Sequence, residues 1–312
     1  MHTLQSVVKG AGEMPVRCRF SSIMLKLFCM STAVVTAVQA RSILSKASGY
    51  ISGFDFTLNP YSGCGFACAY CYAAFFAGSI AKKEDWGRWV EVKQNAAELL
   101  RKAGGRLAGK AIYMSSVTDP YQPVELKLGL TRSLLELMLP HQPRLVVQTR
   151  SPFVTRDLDL LRQFQRVRVN MSITTDDDAI REVFEPLCAS IPWRLAAIEE
   201  VKAAGVPTGI CLTPLLPVTD ADAFGPRLRA ANADVYVIQQ FQAGNARFAA
   251  GTRPAARTLA QERGWTEARY QEVRTILARH LPHLFEGREG FMPPPLPSAF
   301  DDEDELRPEP ET

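Results

Sequence analysis

From Phe54 onward, short runs of β-branched and apolar residues alternate with stretches whose apolar residues recur at helical spacing. The runs Phe54–Leu58, Ala111–Ser115, Leu145–Thr149, Val167–Ile173, Pro207–Leu212 and Val235–Gln239 predict strands. Between them, helical periodicity covers Gln94–Ala103, Thr131–Leu139, Arg156–Phe164, Asp178–Phe184, Pro192–Ala204 and Ala221–Ala231. Gly205, Val206 and Pro207 supply a stop after one helix, and Asp220 a cap before another. This rhythm predicts repeated βα units and a parallel sheet. Parallel strands covered on both faces should be near-continuously apolar, as Leu145, Val146 and Val147 are. Six right-handed units give an α/β fold, an open partial (βα)6 barrel, with functional residues at the carboxyl ends of its strands.

The flanks read differently. Residues 1–40 form a leader, disordered or an over-extended start. Its apolar run Ile23–Ala40 resembles a signal peptide, but Lys26 interrupts it and the run is too short and polar for a membrane span. Translation from Met30 would account for it. The barrel then occupies residues 41–240. A C-terminal extension, 241–292, opens with a loop from Phe241 to Thr252. It ends in a helix, Thr266–His280, expected to pack across the barrel opening or its bottom. Residues 293–312 form a Pro-rich, acidic tail too poor in apolar residues to fold.

Composition changes this picture little; charge and cysteine placement change it more. With 46% hydrophobic and 22% charged residues, the 312-residue chain is an ordinary globular one. The formal charge is +3, yet the tail carries seven acids against Arg307 alone, so the body is more basic than the total implies. Of seven cysteines, Cys64, Cys68 and Cys71 are bunched, while Cys18, Cys29, Cys188 and Cys211 are scattered. An odd count with one bunch argues against a secreted disulfide framework and for a reducing compartment, the cytoplasm.

The bunch has the spacing Cys-x3-Cys-x2-Cys and follows the first strand, so its thiols sit at a carboxyl strand end. Thiolates suit iron–sulfur clusters, zinc or copper(I). Three of them hold three corners of a cubane and leave one metal position open for chemistry. The alternative is a non-catalytic zinc or iron–sulfur metalloprotein acting as a binding module, with Cys188, Cys211 or His141 as a distant fourth ligand.

The motif resembles that of the radical S-adenosylmethionine (SAM) superfamily. Its context is similar to the spore photoproduct lyase-like branch, through Phe54–Cys64, Ser116–Glu125, Thr149–Asp157, and Ser172–Thr175 followed by Glu185 and Pro186. By eye the resemblance covers residues 40–240. It implies a [4Fe–4S] cluster on Cys64, Cys68 and Cys71, whose open iron binds the amino and carboxylate groups of SAM. It implies Tyr70 at the adenine end of SAM, and Thr118 and Asp119 near its ammonium or ribose. Arg150, where the branch usually has lysine, would meet the SAM carboxylate, and Ser172 the ribose; Thr213 is a weaker candidate. Tyr72 and Ser116 are the catalytic candidates. Tyr70 and Tyr72 match tyrosines flanking the third cysteine in the branch. Ser116 stands where the branch has a hydrogen-donor cysteine, and a hydroxyl is a far poorer hydrogen-atom donor. Thymine-dimer repair therefore does not follow. The expected partners are SAM, a reductant such as flavodoxin or ferredoxin, and nucleic acid as the first substrate class; no membrane association is expected.

Overall fold

The computed structural model describes residues 33–241 and 253–295. Its strands are β1 (Val34–Val38), β2 (Leu44–Lys46), β3 (Phe56–Leu58), β4 (Tyr61–Gly63), β5 (Trp89–Lys93) and β6 (Ala111–Met114). They continue with β7 (Arg144–Thr149), β8 (Val167–Ser172), β9 (Thr208–Leu212), β10 (Val235–Ile238) and β11 (Leu284–Glu286). The large sheet has the order β11-β10-β9-β8-β7-β6-β3-β2. All its neighbours pair in parallel except β2, which runs antiparallel to β3. The six strands expected from the sequence are the six central ones, in chain order. The fold is therefore α/β, built on a parallel sheet.

Side chains alternate across the pleat. One face carries Ile112, Met114, Leu145, Val147, Val169, Met171, Ile210 and Leu212, which pack with helical residues such as Leu134, Leu135, Ile198 and Leu228 in the main core. The other face carries Ala111, Tyr113, Val146, Cys211 and Val237, packed with Phe54 and Phe291. This second face also holds Gln148, Arg168, Asn170 and Ser172. The strands are thus less continuously apolar than expected, because this face meets a cavity and a C-terminal turn rather than a helical layer. Crowding there requires Gly209, where an added Cβ would lie 2.4 Å from Asn170 Oδ1.

The flanks depart further from expectation. Val34–Val38 is a strand, pairing in parallel with β5, so the leader does not extend to residue 40. With β4 antiparallel to β5, it forms a three-stranded sheet, β1-β5-β4. The helix Glu267–His280 buries Tyr270, Val273 and Leu277 and packs against the helix Ala221–Ala230. It joins the helical layer instead of crossing the opening or bottom of the sheet, because Gly225 admits His280 at that contact. After it, β11 adds a parallel strand to β10. The turn Gly287–Phe291 then places Phe291 against Tyr113, ring centroids 6.3 Å apart. Arg168 Nη2 donates to Met292 O at 2.9 Å, and Arg144 Nη1 to Pro294 O at 3.3 Å. Pro293 and Pro294 therefore lie against the body. The rest of the expected tail, the Met30 start and nearly all of the Phe241–Thr252 loop lie outside the described residues. Among the described residues, no helix is long and apolar enough to cross a membrane.

Candidate active site

The cysteine loop begins where β4 ends. Gly63 has φ +74°, and an added Cβ would meet Trp89 O at 2.5 Å, so the loop leaves tight against β5. Gly65 N donates to Gln122 Oε1 at 2.8 Å, and Ala69 N to Phe184 O at 2.8 Å. Both bonds fasten the loop to the large-sheet body.

A cavity of about 700 Å³ opens at the carboxyl ends of the parallel strands. Cys64, Cys68 and Cys71 line it, as do Tyr70 and Tyr72. So do Ser116, Thr118, Asp119, Arg150, Ser172 and Thr213. Every site residue expected from the sequence thus shares one cavity wall, a volume suited to a cofactor and a small reacting group.

Several of these side chains are already engaged. Asn59 Oδ1 accepts from Ser116 N at 2.9 Å and Val117 N at 3.1 Å, shaping the turn after β6. Tyr72 donates its hydroxyl to Ser116 O. Thr118 Oγ1 donates to Gly63 O at 2.7 Å. Asp119, buried, accepts from Tyr121 N at 2.9 Å, Thr149 Oγ1 at 2.7 Å and Arg150 N at 2.9 Å. Burial pushes its carboxyl above the usual range against these bonds. Thr118 and Asp119 therefore brace the ends of β6 and β7 against the cysteine loop. Ser172 Oγ accepts from Gln148 Nε2 at 3.0 Å, and Gln148 Oε1 accepts from Tyr113 at 2.8 Å.

The thiols differ from one another. Cys68 Sγ lies 3.8 Å from Cys188 Sγ and accepts from Arg150 Nη1 at 3.1 Å. These contacts, Cys188 first, hold the Cys68 thiol below its ordinary range. Burial pushes Cys64 up, helped by Asp119, and raises Cys71 to about 11. Among the described residues, no three His, Cys, Asp or Glu side chains converge as the donors of one metal ion would. The fit to a cluster rests on the donor set: three free thiols on one eight-residue loop, facing one cavity, with a guanidinium at one sulfur.

Two residues outside the expected set complete the wall behind Cys68. Glu185 and Cys188 meet the cysteine loop across more than a hundred residues of chain. Cys188 was legible only as a distant thiol, and Glu185 only as part of the resemblance.

A parallel α/β sheet with a thiol-bearing loop at its carboxyl edge defines a class of cofactor-dependent protein. The family model of the radical SAM superfamily matches residues 58–224, and the chain belongs to that superfamily. Membership implies SAM and a [4Fe–4S] cluster as cofactors. An uncharacterised protein of Methanocaldococcus jannaschii is 34% identical over 167 residues, 54% of this chain and 62% of its own length. A radical SAM Nalpha-GlyT isomerase of Pseudomonas phage M6 is 27% identical over 200 residues, 59% of this chain. The chain spans only 39% of that relative. Among solved structures, a doubly substituted spore photoproduct lyase with bound AdoMet and dinucleoside spore photoproduct matches with a TM-score of 0.59. The match covers 86% of this chain and 85% of the other at 16% identity, a likeness of fold.

Proposed function

We propose that this chain is a radical SAM enzyme of the spore photoproduct lyase-like kind, built on a partial (βα)6 barrel over about residues 41–240 with a C-terminal extension. The observation that carries the reading is the shared cavity wall: Cys64, Cys68 and Cys71 face the same space as the strand-end residues Thr118, Asp119, Arg150 and Ser172. Cys64, Cys68 and Cys71 would hold the [4Fe–4S] cluster. When bound, cluster and SAM supply reductive cleavage to methionine and a 5′-deoxyadenosyl radical, which starts hydrogen-atom abstraction on substrate. The chain's own part is positioning. Asn59 and Tyr72 fix the Ser116 backbone, and Asp119 ties the β7 end to the turn after β6. Arg150 brings positive charge to the thiol side of the cavity, and Tyr70 is held beside it.

Nucleic acid is the first substrate class. Lys46 and Arg288 line the cavity, and neither makes an ion pair among the described residues, so the wall favours an anionic ligand. The dinucleoside bound by the structural neighbour supports the same class. Loss of salt-sensitive binding to DNA and RNA would turn the reading toward a protein or small-molecule substrate. A cytoplasmic setting with a flavodoxin- or ferredoxin-type reductant fits this chemistry.

The test is anaerobic reconstitution with iron and sulfide, reduction with SAM present, and assay for 5′-deoxyadenosine. Alanine variants of Cys64, Cys68 and Cys71 are the controls. Product from the unaltered chain alone supports the reading. Folded protein that takes up zinc without sulfide, and makes no product, overturns it in favour of a binding module.

A further inference from the structure

Glu185 has no role in the mechanism above, yet it is the most heavily bonded group beside the cysteine loop. Its side chain is fully buried. Arg194 Nη2 reaches its Oε2 at 2.5 Å, and Arg150 Nη1 reaches its Oε1 at 3.0 Å. Thr174 Oγ1 donates to Oε1 at 2.9 Å, and Tyr70 donates its hydroxyl there too. These donors come from four places: the helix Ile191–Ala203, the ends of β7 and β8, and the cysteine loop. The same Arg150 Nη1 lies 3.1 Å from Cys68 Sγ and 2.5 Å from the Tyr70 hydroxyl.

We propose that Glu185 is a positioning residue that pins Arg150 against the sulfur of Cys68, and that the resulting N–H···S contact raises the reduction potential of the cluster. This rests on Cys68 being a cluster ligand.

The physical chain has three links. Arg194 is fully buried and also donates to Ala189 O at 2.9 Å and Ser172 O at 3.1 Å, so it cannot leave and it fixes Glu185. Glu185 then fixes Arg150. The Arg150 side chain is 18% exposed at the cavity wall, so it has a route to water that Arg194 lacks. A guanidinium whose buried counter-charge is removed takes such a route, because an unpaired buried charge is costly. Third, an N–H donated to a ligand thiolate withdraws charge from sulfur and favours the more negative, reduced cluster. The contact to Cys68 uses Nη1 and needs no SAM, so its effect exists before SAM binds.

The experiment therefore omits SAM. The full chain is reconstituted anaerobically with iron and sulfide, iron and sulfide per chain are measured, and the cluster midpoint is read by dye-mediated titration with electron paramagnetic resonance. Arg150→Met is expected to weaken reduction at least tenfold, a fall of about 59 mV for one electron. Glu185→Gln is expected to lower the midpoint as well, although deleting a negative charge would by Coulomb's law raise it. In the Arg150→Met background, Glu185→Gln should lower it no further. Glu185→Asp keeps the charge and shortens the reach; it should also lower the midpoint, and it serves if Glu185→Gln does not fold. An unmoved midpoint in Arg150→Met overturns the proposal. So does a Glu185→Gln shift that is upward in the unaltered background, or equal in both backgrounds, or an unmoved Glu185→Asp. Failure of the unaltered chain to assemble any cluster overturns the proposed function, and this inference with it. An assembled cluster with unmoved midpoints overturns only the inference.

Discussion

Replacing Arg194 by Met tests the buried charge network at its least accessible point. Arg194 is fully buried, pairs with Glu185 at 2.5 Å and donates to two backbone carbonyls. Met keeps much of the length and volume but removes the charge and every donor. Removing one partner of a buried pair costs about 3–5 kcal/mol, because the other charge stays behind. At roughly 2–4 °C per kcal/mol for a protein near this size, the melting temperature should fall by roughly 6–20 °C. The pH dependence gives the sharper signature. Burial opposes ionisation of Glu185, but Arg194 and then Arg150 outweigh it and hold the carboxyl down at about 2, against an ordinary 4.5. At about 1.4 kcal/mol per tenfold, that depression corresponds to roughly 3 kcal/mol. An acid depressed on folding contributes stability above its unfolded range, and that contribution is lost as pH falls through the folded value. Without Arg194 the folded value rises, so the gap between parent and variant should be full at pH 7 and close as pH falls from about 4.5 toward 2. Urea unfolding of both proteins at pH 7, 4 and 3 measures it. A loss below about 1 kcal/mol at pH 7, or a gap that does not change with pH, would refute the reasoning.

Other perturbations probe the parts that frame the cavity. Phe291→Ala should cost about 3 kcal/mol, since the ring is 7% exposed and packs with Phe54, Tyr113 and Val237. Thermal unfolding reads this, and a change within 0.5 °C would mean that the C-terminal turn does not cover the sheet. Gly290→Ala would set a Cβ 2.5 Å from Val237 Cγ1, a clash worth about 1–3 kcal/mol. Adding Val237→Ala should recover part of that loss, and strict additivity of the two changes would refute the contact. Asp119→Asn turns one of the two accepting oxygens into an N–H donor that faces a donor it now bonds, and should cost about 1–3 kcal/mol. Chemical denaturation indistinguishable from the parent would show that the turn after β6 does not depend on this carboxylate.

The central strands were legible because each expected run spans at least five residues rich in β-branched or apolar side chains with turn signals on both sides, although β3 itself pairs only over Phe56–Leu58. β11 was not: Leu284–Glu286 is three residues long, and it is a strand because β10 offers a parallel edge, a fact of tertiary position. β5 did carry a period-two signal in Trp89, Val90, Glu91, Val92 and Lys93, which strand reading could have used. Val34–Val38 was masked by the apolar stretch that precedes it, where a leader and a strand have the same composition. At the site, spacing singles out three cysteines, and the family resemblance read with the strand-end rule singles out Thr118, Asp119, Arg150 and Ser172, which line the same cavity. What spacing cannot give is how those groups are occupied.

Asp119 and Glu185 show why. Both are buried carboxylates beside the cavity, and sequence placed only Asp119 there, because the resemblance and the strand end before it point to that position. One of its bonds goes to Tyr121 N, as a turn-former's would, and the other two cross to Thr149 Oγ1 and Arg150 N at the end of β7. Glu185 ends the helix Asp178–Phe184, far from any strand-end signal, yet its partners are two arginines, a tyrosine of the cysteine loop and Thr174. A turn's hydrogen bonds are short-range and leave a trace in local sequence. A charge network is assembled from segments whose only common property is where the parallel sheet delivers them. The sheet's carboxyl edge thus does two separable jobs: it gathers the cysteine loop and the strand ends around one cavity, and it brings a compensated pair of arginines behind a single sulfur. The first was readable from a rhythm of strands. The second becomes visible only when Arg150 is seen to share one nitrogen among Cys68, Tyr70 and Glu185.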